Sequence, residues 1–218
     1  QGPARDTTDA PDVRTVSLDD GTVTFPTPED PDRPLVVLNR RLEDRIRDMA
    51  ARSGTWADAL RTLREHQFPV LVGSITEVEA EVPGLERYRF DGAGAAWFFA
   101  DGRDRPVAAA VTINLPKLVI RNRVTGGDAE QMRRMLELHL AHELYGHVVP
   151  VVASGTLDHP CADDPDPSAP TREQLGSCVM QREKEVLLDL GYEVRGSYRW
   201  DFWGERIERL GPEESPGG

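Results

Sequence analysis

A chain of 218 residues with 39% hydrophobic and 29% charged content is long enough for one domain with its own core. A formal net charge of −12 excludes the basic stripe that phosphate backbones require, so nucleic acid is not an expected partner. The apolar runs fall far short of the roughly 20 residues of a membrane span, and the acidity reads as solubility.

Residues 1–33 form a polar arm, expected to be partly disordered. Gln1-Gly2-Pro3 resembles the remnant of a cleaved tag, so the lack of a visible signal peptide carries no information about export. Within the arm, Val13–Val16 alternates and Thr22–Phe25 follows the Asp19-Asp20-Gly21 turn, which suggests a hairpin. Leu35–Leu38 is a short apolar strand or helix entry, followed by a helix through Arg52. Thr55 is positioned to cap a second helix reaching about His66.

Pro69–Ile75 reads as a buried strand. Tyr88–Phe90, Ala95–Ala100 and Val107–Leu115 alternate or run apolar between Asp-Gly turns, as in an antiparallel or mixed sheet. Gly126-Gly127-Asp128 then opens a long helix through about Val152. An Asp- and Pro-rich loop, 154–170, leads to a capping box of Thr171 and Gln174. The helix begun there ends at Gly191, where a left-handed residue is wanted. Tyr192–Phe202 returns as a strand or irregular segment, and residues 211–218 are a flexible tail. The expected architecture is an α+β domain over 34–210, a small mixed or antiparallel sheet packed on helices. Cys161 and Cys178 bracket the acidic loop, and in an oxidising compartment a disulfide between them would contribute about 3 kcal/mol.

The long helix carries Ala141-His142-Glu143-Leu144-Tyr145-Gly146-His147. Two imidazoles and a carboxylate on one apolar helix suit a zinc hydrolase, but the usual spacing is H-E-x-x-H and this one is H-E-x-x-x-H. On a regular helix, residues five apart point roughly 140° away from each other, too far to share one metal. A π-bulge restores the facing, and Gly146 is the residue best able to absorb the distortion. Without a metal, His142, Glu143 and His147 would be three expensive ionisable groups on an apolar segment. His139, three residues before His142, also stands at a chelating separation and is a rival ligand, but is read rather as structural or as a support for the ligands.

A catalytic zinc takes three protein ligands and keeps one open position. On the following helix Glu183 falls inside the apolar stripe of Leu175, Val179, Val186, Leu187 and Leu190, whereas Glu185 falls on the solvated face. Helical phase therefore favours Glu183 as third ligand. Glu185 with Asp189, an E-x-x-x-D pattern found in many zincins, is its rival.

His142-Glu143-Leu144-Tyr145-Gly146-His147 resembles the H-E-L-x-G-H motif of dipeptidyl peptidase III, in which both histidines bind zinc and the glutamate is the base. Residues 35–203 are more similar to the small effector- and toxin-type zincin metallopeptidases of bacteria. The likeness lies in the strand Val111–Leu115, the metal helix, and Arg182-Glu183 through Gly191-Tyr192-Glu193-Val194-Arg195. It selects Glu183, although Lys184 stands where the family commonly has asparagine. It implies a zincin-like fold, one Zn²⁺ held by His142, His147 and Glu183, and a secreted or injected bacterial protein. All but two of the 26 basic residues are arginine, which fits a GC-rich bacterial genome.

The expected activity is hydrolysis of a peptide or protein substrate, with Glu143 as general base. The Val111–Leu115 strand is the expected sheet edge for an extended substrate. Tyr198, or failing it His159, is the expected oxyanion donor, while Tyr145 is read as packing. A delivery or inhibitory partner is left unspecified. Two alternatives stand beside this expectation. One is a non-catalytic module in which zinc only fastens two helices, with His139 or Cys161 closing the site. The other is a zinc amidase acting on cell-wall peptides.

Overall fold

The computed structural model describes residues 15–18, 21–24, 35–82, 93–99, 105–157 and 172–192. The hairpin forms, with β1 (Thr15–Leu18) antiparallel to β2 (Gly21–Thr24), two residues later on its first arm than the alternation suggests. β3 (Leu35–Val37) leads into α1 (Arg40–Arg52), whose first amides bond to the Asn39 side chain. Ser53, rather than Thr55, caps α2 (Gly54–Glu65).

β4 (Val70–Ser74) is buried throughout and passes directly into α3 (Ile75–Glu81). α3 is not among the elements expected from the sequence, although Ser74 and Glu77 form a capping box that announces it. β5 (Ala93–Phe99) and β6 (Pro106–Ile113) follow, and the sheet order is β3-β4-β6-β5. β3, β4 and β6 are parallel and β5 is antiparallel to β6, so the domain is α+β with a small mixed sheet.

Alternation along the inner strands feeds two cores. Val70, Val72, Ala109, Val111 and Ile113 face the main helical core, whereas Leu71, Ala108 and Ala110 join Val78, Val82 and Phe98 beneath α3. Covering both faces is what parallel strands require. One expectation fails here. The strand ending at Ile113 lies between β4 and β5, so its backbone bonds are taken and it offers no edge to a substrate. Among the described residues the edge strands are β3 and β5, and β1 runs beside β5 without entering its ladder.

After β6 comes α4 (Leu115–Val124), where the sequence suggests only the end of a strand; Pro116 in its first turn and the Asn114 cap set it apart. Asp128 then caps a rod made of α5 (Ala129–Leu140), a π-helical segment (Ala141–Val148) and α6 (Val149–Ser154). α7 (Arg172–Asp189) packs along the π-helical segment and ends at Gly191, whose φ of +83° matches the expected left-handed cap.

Glu137 of α5 is fully buried and ties the rod to its surroundings. It pairs with Arg45 at 3.1 Å and Arg52 at 2.5 Å on α1, and accepts from the Tyr192 hydroxyl just beyond α7. Asp189 at the end of α7 accepts from Ser53 Oγ at 2.9 Å and Thr55 N at 3.1 Å, fixing α7 to the start of α2. No helix among the described residues is long and apolar enough to cross a membrane.

Candidate metal centre

The rod keeps helical dihedrals through both of its junctions, so the π-helical stretch is a change of register rather than a break. Its cause is local. An α-helical bond from the Gly146 carbonyl would end on the amide of residue 150, and Pro150 has no N–H and a ring that clashes with that carbonyl. The wider pattern is visible where the Val149 N–H bonds to Leu144 O, five residues back. The extra residue in H-E-x-x-x-H is thus housed in a π-helical turn, as the spacing requires.

Gly146 has a different part in this from the one its backbone freedom suggests. Its φ is not in the left-handed region. A Cβ built there would lie 2.6 Å from Val179 Cγ1 and 3.4 Å from Val179 O, so the glycine serves the close approach of α7.

That register brings the two imidazoles together. Nε2 of His142 and Nε2 of His147 are 3.2 Å apart, with ring centroids at 4.9 Å and planes inclined at 72°. Glu183 extends from α7, fully buried, and its Oε2 lies 2.8 Å from Nδ1 of His142. Since a carboxylate accepts, Nδ1 donates and the lone pair of His142 falls on Nε2, toward His147. Glu183 therefore contacts the side of His142 opposite the Nε2 pair. Among the described residues no three His, Cys, Asp or Glu side chains are arranged as they stand to hold a metal ion.

Glu143 is 5% exposed on the same π-helical turn. Burial first, and the charge of Glu183 second, push its carboxyl up to about 8. Helical phase is confirmed for α7: Val179, Val186, Leu187 and Leu190 are buried with Glu183, while Glu185 is exposed. Glu185 accepts from the Tyr145 hydroxyl at 2.7 Å, and Asp189 accepts from Ser53 and Thr55 at the start of α2. The rival E-x-x-x-D pair is engaged in fastening helices.

His139 is buried and its Nδ1 lies 2.7 Å from Met135 O, where it can only donate. Burial holds its pKa down to about 4. The unfolded chain takes up this proton near 6.5, so the stability contribution is whole above pH 6.5 and is lost as pH falls toward 4. By pH 4.5 the loss attributable to His139 is about 2–3 kcal/mol. His139→Gln is expected to flatten that part of the stability curve in denaturant titrations at pH 7 and 4.5. An unchanged acid slope in the variant would show that His139 does not govern it.

Cys178 is buried and disulfide-bonded. The other cysteine of the chain, Cys161, lies outside the described residues, as do His159, Thr171 and Tyr198. Two residues that shape this site are not among the candidates expected from the sequence. Pro150, four residues past Gly146, is the legible sign of a disturbed helix. Arg182, whose Nη1 donates to Gly146 O at 3.4 Å, adjoins Glu183 and carries no comparable signal. Comparison of the chain with protein-family models, curated proteins and solved structures finds no match.

Proposed function

We propose that this protein is a zinc-dependent peptide hydrolase of zincin-like fold, with the ion held by His142, His147 and Glu183. The observation that carries the proposal is the 3.2 Å approach of the two Nε2 atoms. Two nitrogen ligands 2.0–2.1 Å from a tetrahedral ion lie roughly 3.3 Å apart, so the imidazole pair already has the separation of a chelate. The donor chemistry also fits: two neutral imidazoles and one carboxylate leave a fourth position open. Glu183 completes the set if it turns from His142 Nδ1 toward the Nε2 pair.

When bound, zinc lowers the pKa of a coordinated water and polarises the scissile carbonyl. Glu143 takes the proton from the attacking water and returns it to the leaving amine. A carboxyl pushed up by burial is matched to this exchange near neutral pH, and a cation beside it favours its ionised form. An extended substrate is assigned to β5, which among the described residues is an edge strand and packs beside the π-helical segment. Tyr198 remains the candidate oxyanion donor. The motif's likeness to bacterial effector and toxin zincins extends the proposal to a secreted or injected protein.

A second reading has the same residues only fastening the π-helical segment to α7. The Glu183–His142–His147 chain of contacts favours it, because it links the two helices through side chains alone. Glu143 separates the two, since a purely structural site has no use for a buried carboxyl beside it.

Zinc titration of the purified chain against a competing chelator tests the site. One equivalent is expected to bind. Glu183→Ala is expected to weaken binding more than the 10–100-fold typical of a residue that merely orients a ligand. Glu185→Ala should bind zinc as the parent does. No zinc binding by the parent chain overturns the proposal, and a loss confined to Glu185→Ala reassigns the ligand.

A further inference from the structure

Eight residues of π-helix in the middle of a rod need outside support, because π-helix is rare and mostly limited to single turns. Pro150 accounts for the loss of the α-helical register but leaves the Gly146 carbonyl without its α-helical donor. α7 meets the turn at that carbonyl. Val179 presses on Gly146, Arg182 Nη1 donates to Gly146 O at 3.4 Å, and Glu185 accepts from Tyr145 at 2.7 Å. Residues 179, 182 and 185 recur every three positions, so one ridge of α7 grips Tyr145 and Gly146, the two residues just before His147.

Arg182 is the charged member of that ridge. Its guanidinium is half-buried, and burial holds its pKa below the usual arginine value against the raising effects of Tyr145 and Glu185. Desolvating a cation here is offset by the bond it donates to the Gly146 carbonyl. The adjoining residue, Glu183, bonds His142 from the same turn of α7. One turn of α7 therefore touches the rod at both ends of the H-E-x-x-x-H motif.

We propose that Arg182 is a positioning residue for the imidazole pair: by holding the Gly146 carbonyl it fixes the π-helical register that brings Nε2 of His147 to Nε2 of His142. The role rests on the proposed metal site only where zinc is the readout. The register itself is independent of any ion.

The test compares Arg182→Met, which keeps the stem without a donor, and Arg182→Lys, which keeps one charged donor. Two measurements are made on each full-length variant: the imidazole ¹⁵N shifts of His142 and His147 without added metal, and zinc affinity by chelator competition. Arg182→Met is expected to separate the two imidazole signals from their parent positions and to weaken zinc roughly 10–100-fold, with Arg182→Lys recovering part of both. Parent-like imidazole shifts in Arg182→Met overturn the proposal, whatever its thermal stability. If Arg182→Met does not fold, Arg182→Gln, whose side chain is shorter than arginine's and cannot span the same distance to the carbonyl, takes its place: displaced signals support the role and parent-like ones overturn it. If the parent binds no zinc, the metal reading fails alone, and the shifts still judge Arg182.

Discussion

Glu143→Gln is expected to bind zinc as the parent does and to hydrolyse peptides 10²- to 10⁴-fold more slowly, the usual contribution of a positioned general base. The expectation follows from placement. Glu143 shares a π-helical turn with both imidazoles, is 5% exposed, and has a carboxyl pushed up to about 8 by burial and by Glu183. Glutamine keeps the size and the hydrogen-bonding reach but can neither take nor return a proton. Single-turnover cleavage of a peptide library, with zinc content measured on the same samples, checks the result. Full activity in the variant removes Glu143 from the chemistry. Loss of zinc together with activity would make the residue a determinant of the metal site rather than a base.

The sheet shows how far the sequence carries. β4 is legible because a wholly buried parallel strand is a near-continuous apolar run, as Val70–Gly73 is before the polar Ser74. Strand order is not local. Whether the strand ending at Ile113 is an edge depends on where β5 returns, and β5 occupies the side that would otherwise face a substrate. α3 and α4 are legible after the fact through Ser74–Glu77 and Asn114–Pro116, short caps overshadowed by the apolar strands before them.

The motif divides in the same way. Spacing alone demands that five residues span one turn, and the π-helical segment provides it. Glu183 is legible as the one carboxylate in phase with Val179 and Val186, and it is buried. Its contact with Nδ1 rather than the Nε2 side of His142 is not legible, because that depends on how two helices rotate against each other. For the same reason Arg182 escapes notice: nothing in the segment Gln181-Arg182-Glu183-Lys184 says which charge meets a backbone carbonyl on another helix.

Gly146→Ala is the substitution expected to uncouple these parts. In an isolated helix alanine is favoured over glycine by up to about 1 kcal/mol. Here the added Cβ would meet Val179 Cγ1 at 2.6 Å, and Val179 is buried, β-branched and stiff at χ1, so it has no free end to swing away. Overpacking of this kind costs about 1–3 kcal/mol, and α7 must shift to relieve it. The shift acts on Arg182 at the Gly146 carbonyl and on Glu183 at His142 together, since both ride on the same turn. Gly146→Ala should therefore lose zinc affinity by more than its loss of stability accounts for. Val179→Ala removes the obstructing methyls, so the double variant Gly146→Ala/Val179→Ala is expected to recover affinity that Gly146→Ala lacks. Denaturant unfolding and chelator competition on all four proteins give a coupling energy of about 1–2 kcal/mol between the two positions if the close approach sets the site. Additive effects would mean that α7 accommodates the extra carbon elsewhere and that the glycine does not set the distance between the helices.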